Sequence, residues 1–158
     1  MKTKYLSAGL MFAGLVVAGP AAAQPNTNAN PNYGTLNLSG GFQPDPQVVP
    51  LRAGGDLAAS SISDGCTGFI TRAPDVRLNY TPGSLPLIIS VASGADTTLV
   101  VNGPDGRWYC DDDSGTRGLN PMVRFNRPAQ GRYEIWVGTL SSGSTEAANL
   151  HVSELRSQ

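Results

Sequence analysis

Asp96-Thr97-Thr98-Leu99-Val100-Val101-Asn102-Gly103-Pro104-Asp105-Gly106-Arg107-Trp108-Tyr109-Cys110-Asp111-Asp112-Asp113 reads as a strand, a tight turn and a second strand. Thr, Val, Leu, Trp and Tyr favour the pleated conformation. Between the two runs, Pro104 presets φ while Gly103 and Gly106 accept positive φ, so the turn chemistry is conformational. The same pattern recurs along the chain, with short β-type runs at 35–38, 48–51, 68–70, 76–80, 87–91, 122–125, 132–137 and 149–152. Nearly all are closed by Gly, Pro, Asn, Asp or Ser. Such spacing predicts an all-β fold, a single antiparallel β-sandwich, with no internal repeat and no helix after residue 23.

Alternation assigns the faces. Val76, Leu78 and Tyr80 share one side of their strand, as do Leu87, Ile89 and Val91. In the run after Gly131, Tyr133, Ile135 and Val137 face the expected core, and Arg132, Glu134 and Trp136 face away. Trp136 is thus a candidate stacking platform for a sugar or peptide ligand, with burial under a loop as the alternative.

Residues 1–23 read as an export signal. Lys2 and Lys4 form a positive start, residues 10–17 an apolar stretch, and Ala21-Ala22-Ala23 a small-residue cleavage pattern. The apolar stretch is shorter than the roughly 20 residues that span a bilayer. Residues 24–34 are rich in Asn and Pro with little to bury, so a disordered lead-in is expected before a domain at 35–158. Without the signal the chain carries nine Arg against twelve Asp and Glu, a net charge of −3. No basic stripe suits nucleic acid and no basic amphipathic stretch suits a membrane surface. The expected protein is exported, periplasmic or extracellular, and not inserted in a membrane.

Cys66 and Cys110 are an isolated pair. In an oxidising compartment a disulfide is the expected state, and closing that loop stabilises a fold by about 4 kcal/mol in the chain-entropy model. A metal held by both thiolates is the alternative, and it lacks the further Cys or His ligands zinc prefers.

Two readings stand for Asp111-Asp112-Asp113. Three adjacent carboxylates repel, so they form either a solvated rim or the oxygen-rich shell of a hard cation such as calcium. Asp111 and Asp113 share a face in an extended strand, with Asp112 opposite. Asp96 joins them if a hairpin pairs the two runs. The spacing is not that of an EF-hand, because Met122 stands at the closing position. His151, the single histidine, reads as a surface residue: Ser141, Ser142 and Ser144 lie in a loop without a nucleophile elbow. Adjacent carboxylates do not form the separated pair of a glycosidase.

Asp96-x-x-Leu99-Val100-Val101, the acidic segment, Pro128-x-x-Gly131-x-Tyr133-x-Ile135-Trp136-Val137 and a closing apolar strand resemble the bacterial pre-peptidase C-terminal domain. The resemblance covers residues 87–152. It implies a β-sandwich, often of jelly-roll type, attached to secreted peptidases and related to the collagen-binding modules of clostridial collagenases. Several members bind calcium, which here points to Asp96, Asp111, Asp112 and Asp113. No peptidase domain accompanies the module within these residues. The expected function is a non-catalytic binding or accessory module whose partner is a protein or glycan of the cell envelope. A secreted peptidase-like hydrolase, or a structural or inhibitory partner of a separate envelope enzyme, are the alternatives.

Overall fold

The computed structural model describes residues 24–116 and 118–158, so the expected signal at residues 1–23 lies outside the described residues. Eleven strands are present: β1 (Thr35–Ser39), β2 (Gln47–Ala53), β3 (Leu57–Ala58), β4 (Phe69–Ile70), β5 (Val76–Thr81), β6 (Leu87–Ser93), β7 (Thr97–Asn102), β8 (Trp108–Asp111), β9 (Met122–Phe125), β10 (Gly131–Thr139) and β11 (Glu146–Ser153). The larger sheet runs β1–β5–β10–β7–β8, with β4 meeting β10 beyond the end of β5 and β3 pairing β4. The smaller sheet runs β2–β11–β6–β9. The protein is a two-sheet β-sandwich, as the turn-bounded runs predict.

One pairing departs from the antiparallel expectation. β1 lies parallel to β5, in register from Thr35 beside Arg77 to Ser39 beside Thr81. Parallel strands need a long crossover. Here the chain leaves β1, adds β2 to the other sheet, passes β3 and β4, and only then returns as β5. Two short features also went unread in the sequence: β3 and a 3-10 turn at Ala59–Ser61.

The face assignments hold. Val76, Leu78, Tyr80, Tyr133, Ile135 and Val137 of the larger sheet meet Leu87, Ile89, Val91, Leu150 and Val152 of the smaller one in a closed core. Leu36 and Leu38 are partly buried at its margin. Trp136 points out of that core, as alternation requires, yet it is fully buried. It belongs to a second apolar cluster on the outer face, with Leu57, Ala59, Cys66, Ile70 and Val100. The Cys66–Cys110 disulfide fastens the covering excursion to β8. Trp108 packs on Trp136 with ring centroids 5.5 Å apart. Gly138 permits the crossing, because a Cβ there would lie 2.7 Å from the Phe69 carbonyl oxygen.

The lead-in is ordered, contrary to its composition. Its amides bond to the chain beside it, Asn26 to the Arg72 carbonyl, Asn32 to that of Pro74 and Tyr33 to that of Asp75. Arg77 reaches out of β5 to the carbonyls of Thr27 (3.2 Å) and Ala29 (2.9 Å). Arg132 donates to the Asn28 side chain at 3.1 Å. Between the two arginines sits Glu134, buried and paired with Arg77 at 2.6 Å and Arg132 at 3.0 Å. A segment with little to bury is held here by polar groups that need partners.

β10 poses a local problem. It pairs β5 up to Ile135 and β4 at Thr139, which leaves Val137 without a strand neighbour on that side. Asp75 fills the gap: its own amide donates to the Ile135 carbonyl, and its carboxylate accepts the Val137 amide at 2.8 Å and the Asn32 side chain at 3.2 Å. The Val137 carbonyl is taken by the Gly54 amide at 2.9 Å. Burial pushes the Asp75 carboxyl up to about 7, against the opposing pull of the Val137 amide and the Asn32 and Thr71 side chains.

Raising the folded-state value means the native protein binds the Asp75 proton more tightly than the unfolded chain does. That contribution is fully present below about pH 4 and is lost as pH rises to about 7. Glu134, also pushed up by burial against the pull of Arg77 and Arg132, adds in the same direction. Asp75→Asn should therefore flatten, without abolishing, the fall in stability between pH 4 and 7 found by urea unfolding at a series of pH values. Identical slopes in the two proteins would show that Asp75 does not titrate there.

Candidate functional site

The hairpin that could bring Asp96 toward the acidic triplet does form: β7 pairs β8 with Leu99 opposite Asp111. Asp113 is exposed, and its carboxyl is pushed above its ordinary value by loss of hydration and then by the charges of Asp112, Asp96 and Asp111. The four acids therefore share one field but have different tasks. Asp111 turns toward the chain, accepting from the Ser114 amide at 2.9 Å, the Ser114 hydroxyl and the Met122 amide at 2.8 Å. Asp112 accepts from the Thr67 hydroxyl at 3.3 Å, across the disulfide-linked excursion.

Among the described residues no three Asp, Glu, His or Cys side chains are grouped to hold a metal ion. The Asp111 carboxylate is engaged by these three donors and so clasps the 112–121 loop. The same loop is held at Asn120, whose side chain bonds both the amide and carbonyl of Ser93 and the Thr97 hydroxyl. The Thr116 amide is bound by the C-terminal Gln158 carbonyl, and the Gln158 amide by the Ser90 hydroxyl.

The remaining candidates separate clearly. Trp136 has no exposed face, so the ligand-stacking reading is corrected: the disulfide-tied excursion covers the ring on the side where alternation placed it. His151 lies on β11 between Val48 and Ser90 in register. Ser144 belongs to the turn before β11, bonding Thr139 at 2.8 Å and the Ser141 carbonyl at 2.8 Å. Seven residues of extended chain at about 3.3 Å each separate it from His151.

A different surface emerges on the larger sheet, at the end left open by the lead-in and the disulfide cluster. Asn37, Asn79 and Arg132 stand in one line across β1, β5 and β10. The Asn79 amide donates to the Asn37 side-chain oxygen at 2.8 Å, which orients both. With Ser39, Thr81 and Gln130 they line a depression of about 490 Å³. A second depression of about 350 Å³ shares Gln130, Gly131 and Arg132 and continues to Asn102 and the Gly103-Pro104 turn.

The turn is held by Asp105, which accepts from the Tyr109 hydroxyl at 2.7 Å and the Arg107 amide at 3.1 Å. The Tyr109 bond, then that amide, hold the Asp105 carboxyl below its ordinary value. Gly131 lets Pro104 approach: it has φ +141°, and a Cβ would lie 2.8 Å from the Pro104 ring. Neither depression is lined by Asp, Glu, His or Cys. Sequence reading missed this surface because its members are distant in the chain, and parallel pairing of β1 with β5 is what aligns them.

No family model matches the sequence, and no curated protein matches it either.

Loss of the Asp111 clasp should be visible without any ion. Asp111→Ala strands the Met122 amide and frees the loop, at a cost of about 1–3 kcal/mol. Its melting temperature should fall by several degrees in EDTA and by the same amount in calcium. A drop confined to calcium-containing buffer would make Asp111 a metal ligand instead.

Proposed function

We propose that this chain is an exported, non-catalytic recognition module that binds a glycan of the cell envelope along the open end of its larger sheet. The observation that carries the reading is the groove made by the two joined depressions, rich in amide, hydroxyl and guanidinium groups and free of carboxylate, imidazole and thiol. Amide side chains donate and accept side by side, as sugar hydroxyls do. The joined groove spans β1 to β7, three strand intervals or about 14 Å, a reach suited to a short oligosaccharide.

Export is part of this proposal. It is supported by the leader pattern and by the Cys66–Cys110 disulfide, which belongs to oxidising compartments. Kinship with the pre-peptidase C-terminal domain likewise remains an inference from the strand pattern, and the sandwich is compatible with it.

Asn79 and Gln130 are exposed, so replacing both with Ala should leave stability within about 0.5 kcal/mol. The double variant should bind envelope oligosaccharides at least tenfold more weakly in titration calorimetry against a panel of neutral and acidic chains. Failure of the parent protein to bind any member at millimolar concentration, or equal binding by the variant, would end this reading.

A further inference from the structure

Every open sheet ends in strands whose unpaired backbone groups invite another strand, and most folds obstruct them. Four of the five terminal strands here are obstructed. β3 has two residues. β8 has four and is tied through Cys110 to the disulfide. β9 has four and projects Arg124. β2 is longer but carries Pro50, which has no amide proton, and exposed Arg52.

β1 is the exception. Its five residues, Thr35-Leu36-Asn37-Leu38-Ser39, include no charge and no proline. The flanking bonds, from the Arg77 amide to the Gly34 carbonyl and from the Gly40 amide to the Thr81 carbonyl, fix its orientation. Even-numbered residues point their backbone groups at β5. By alternation the amides and carbonyls of Thr35, Asn37 and Ser39 point the other way. Among the described residues no strand pairs with that side of β1.

We infer that β1 is a self-association edge, where a second copy of this chain pairs antiparallel about a two-fold axis through Asn37. A two-fold pairing sets each residue against itself or its mirror position in the strand, so any charge near the axis would face its like. β1 avoids this. Asn37 faces Asn37 of the second copy, Thr35 faces Ser39, and Leu36 faces Leu38. All six outward backbone groups then find partners, and the partly buried leucines at the margin of the core are covered.

The pairing also joins the two grooves. The line Arg132–Asn79–Asn37 continues as Asn37–Asn79–Arg132 of the second copy, six strands wide, about 24 Å from end to end. The edge pairs in this way whatever the groove binds. One strand pair buries less than the roughly 1,200 Å² of a stable interface, so the dimer is concentration-dependent.

Sedimentation velocity of the mature, oxidised chain from micromolar to millimolar concentration tests this. The parent protein should shift from monomer to dimer, while Asn37→Lys and Asn37→Pro should stay monomeric throughout. The Asn37 amide points away from β5, so proline there removes an outward donor and spares the β1–β5 ladder. Far-ultraviolet circular dichroism confirms that both variants are folded, and the lysine variant suffices if the proline one is not. Asn37→Cys should cross-link on oxidation, since a hydrogen-bonded antiparallel pair sits about 5.5 Å apart at Cα, within disulfide reach. Asn79→Cys, three strand intervals from its counterpart across the axis, should not. A parent protein that is monomeric at all concentrations, or a dimer unchanged by both Asn37→Lys and Asn37→Pro, overturns the proposal.

Discussion

A buried backbone amide must have a partner, and at Val137 the larger sheet cannot supply one. β10 is the longest strand and the hub of that sheet, pairing β5, β4 and β7 along its length. Where it changes neighbour, a carboxylate does the work of a strand. Asp75 closes that edge of the ladder with both its side chain, at the Val137 amide, and its own amide, at the Ile135 carbonyl, while also accepting from Asn32 of the lead-in. One residue therefore couples the hub, the exit from β4 and the N-terminal segment. Its burial is tolerable because the group is hydrogen-bonded and its proton affinity is raised, so it need not be charged.

The outer face of the larger sheet is divided by what covers it. One end is roofed by the disulfide-tied excursion over Trp136 and Val100. The middle is roofed by the lead-in, held by Arg77 and Arg132 around Glu134. The remaining end is bare, and it carries the amide line of Asn37 and Asn79. Among the described residues, the amide-lined end is the part of that face left uncovered by the lead-in and the disulfide cluster. Arg132 spans the boundary, with one hand in the lead-in clamp and its exposed flank in the groove.

Much of this was legible in the chain. Period-two alternation gave the correct inward faces of β5, β6 and β10, because one side of each is in the sandwich core. It also put Trp136 on the correct side, but alternation reports direction and not cover. The second apolar cluster depends on a disulfide between cysteines 44 residues apart in sequence, and such a roof has no local signature. The lead-in was misread for a related reason: composition measures what a segment can bury, and this one is ordered by polar partners on β5 and β10. The bond from the Met122 amide to Asp111 was not legible, because it depends on the return of the chain at β9. The groove required knowing that β1 runs parallel to β5, a topological choice that strand propensities do not encode.

The Trp108–Trp136 pair has a spectroscopic consequence. These are the only two tryptophans in the chain, they touch each other, and they belong to the cluster that also contains Cys66 and Cys110. Tryptophan emission from this protein thus comes entirely from the disulfide-tied cluster, and none of it from between the sheets. Emission and far-ultraviolet dichroism are consequently reporters of two different bodies. An unfolding curve followed by fluorescence follows the roof, and agreement between the two signals becomes a direct measure of how tightly the roof is coupled to the sandwich beneath it.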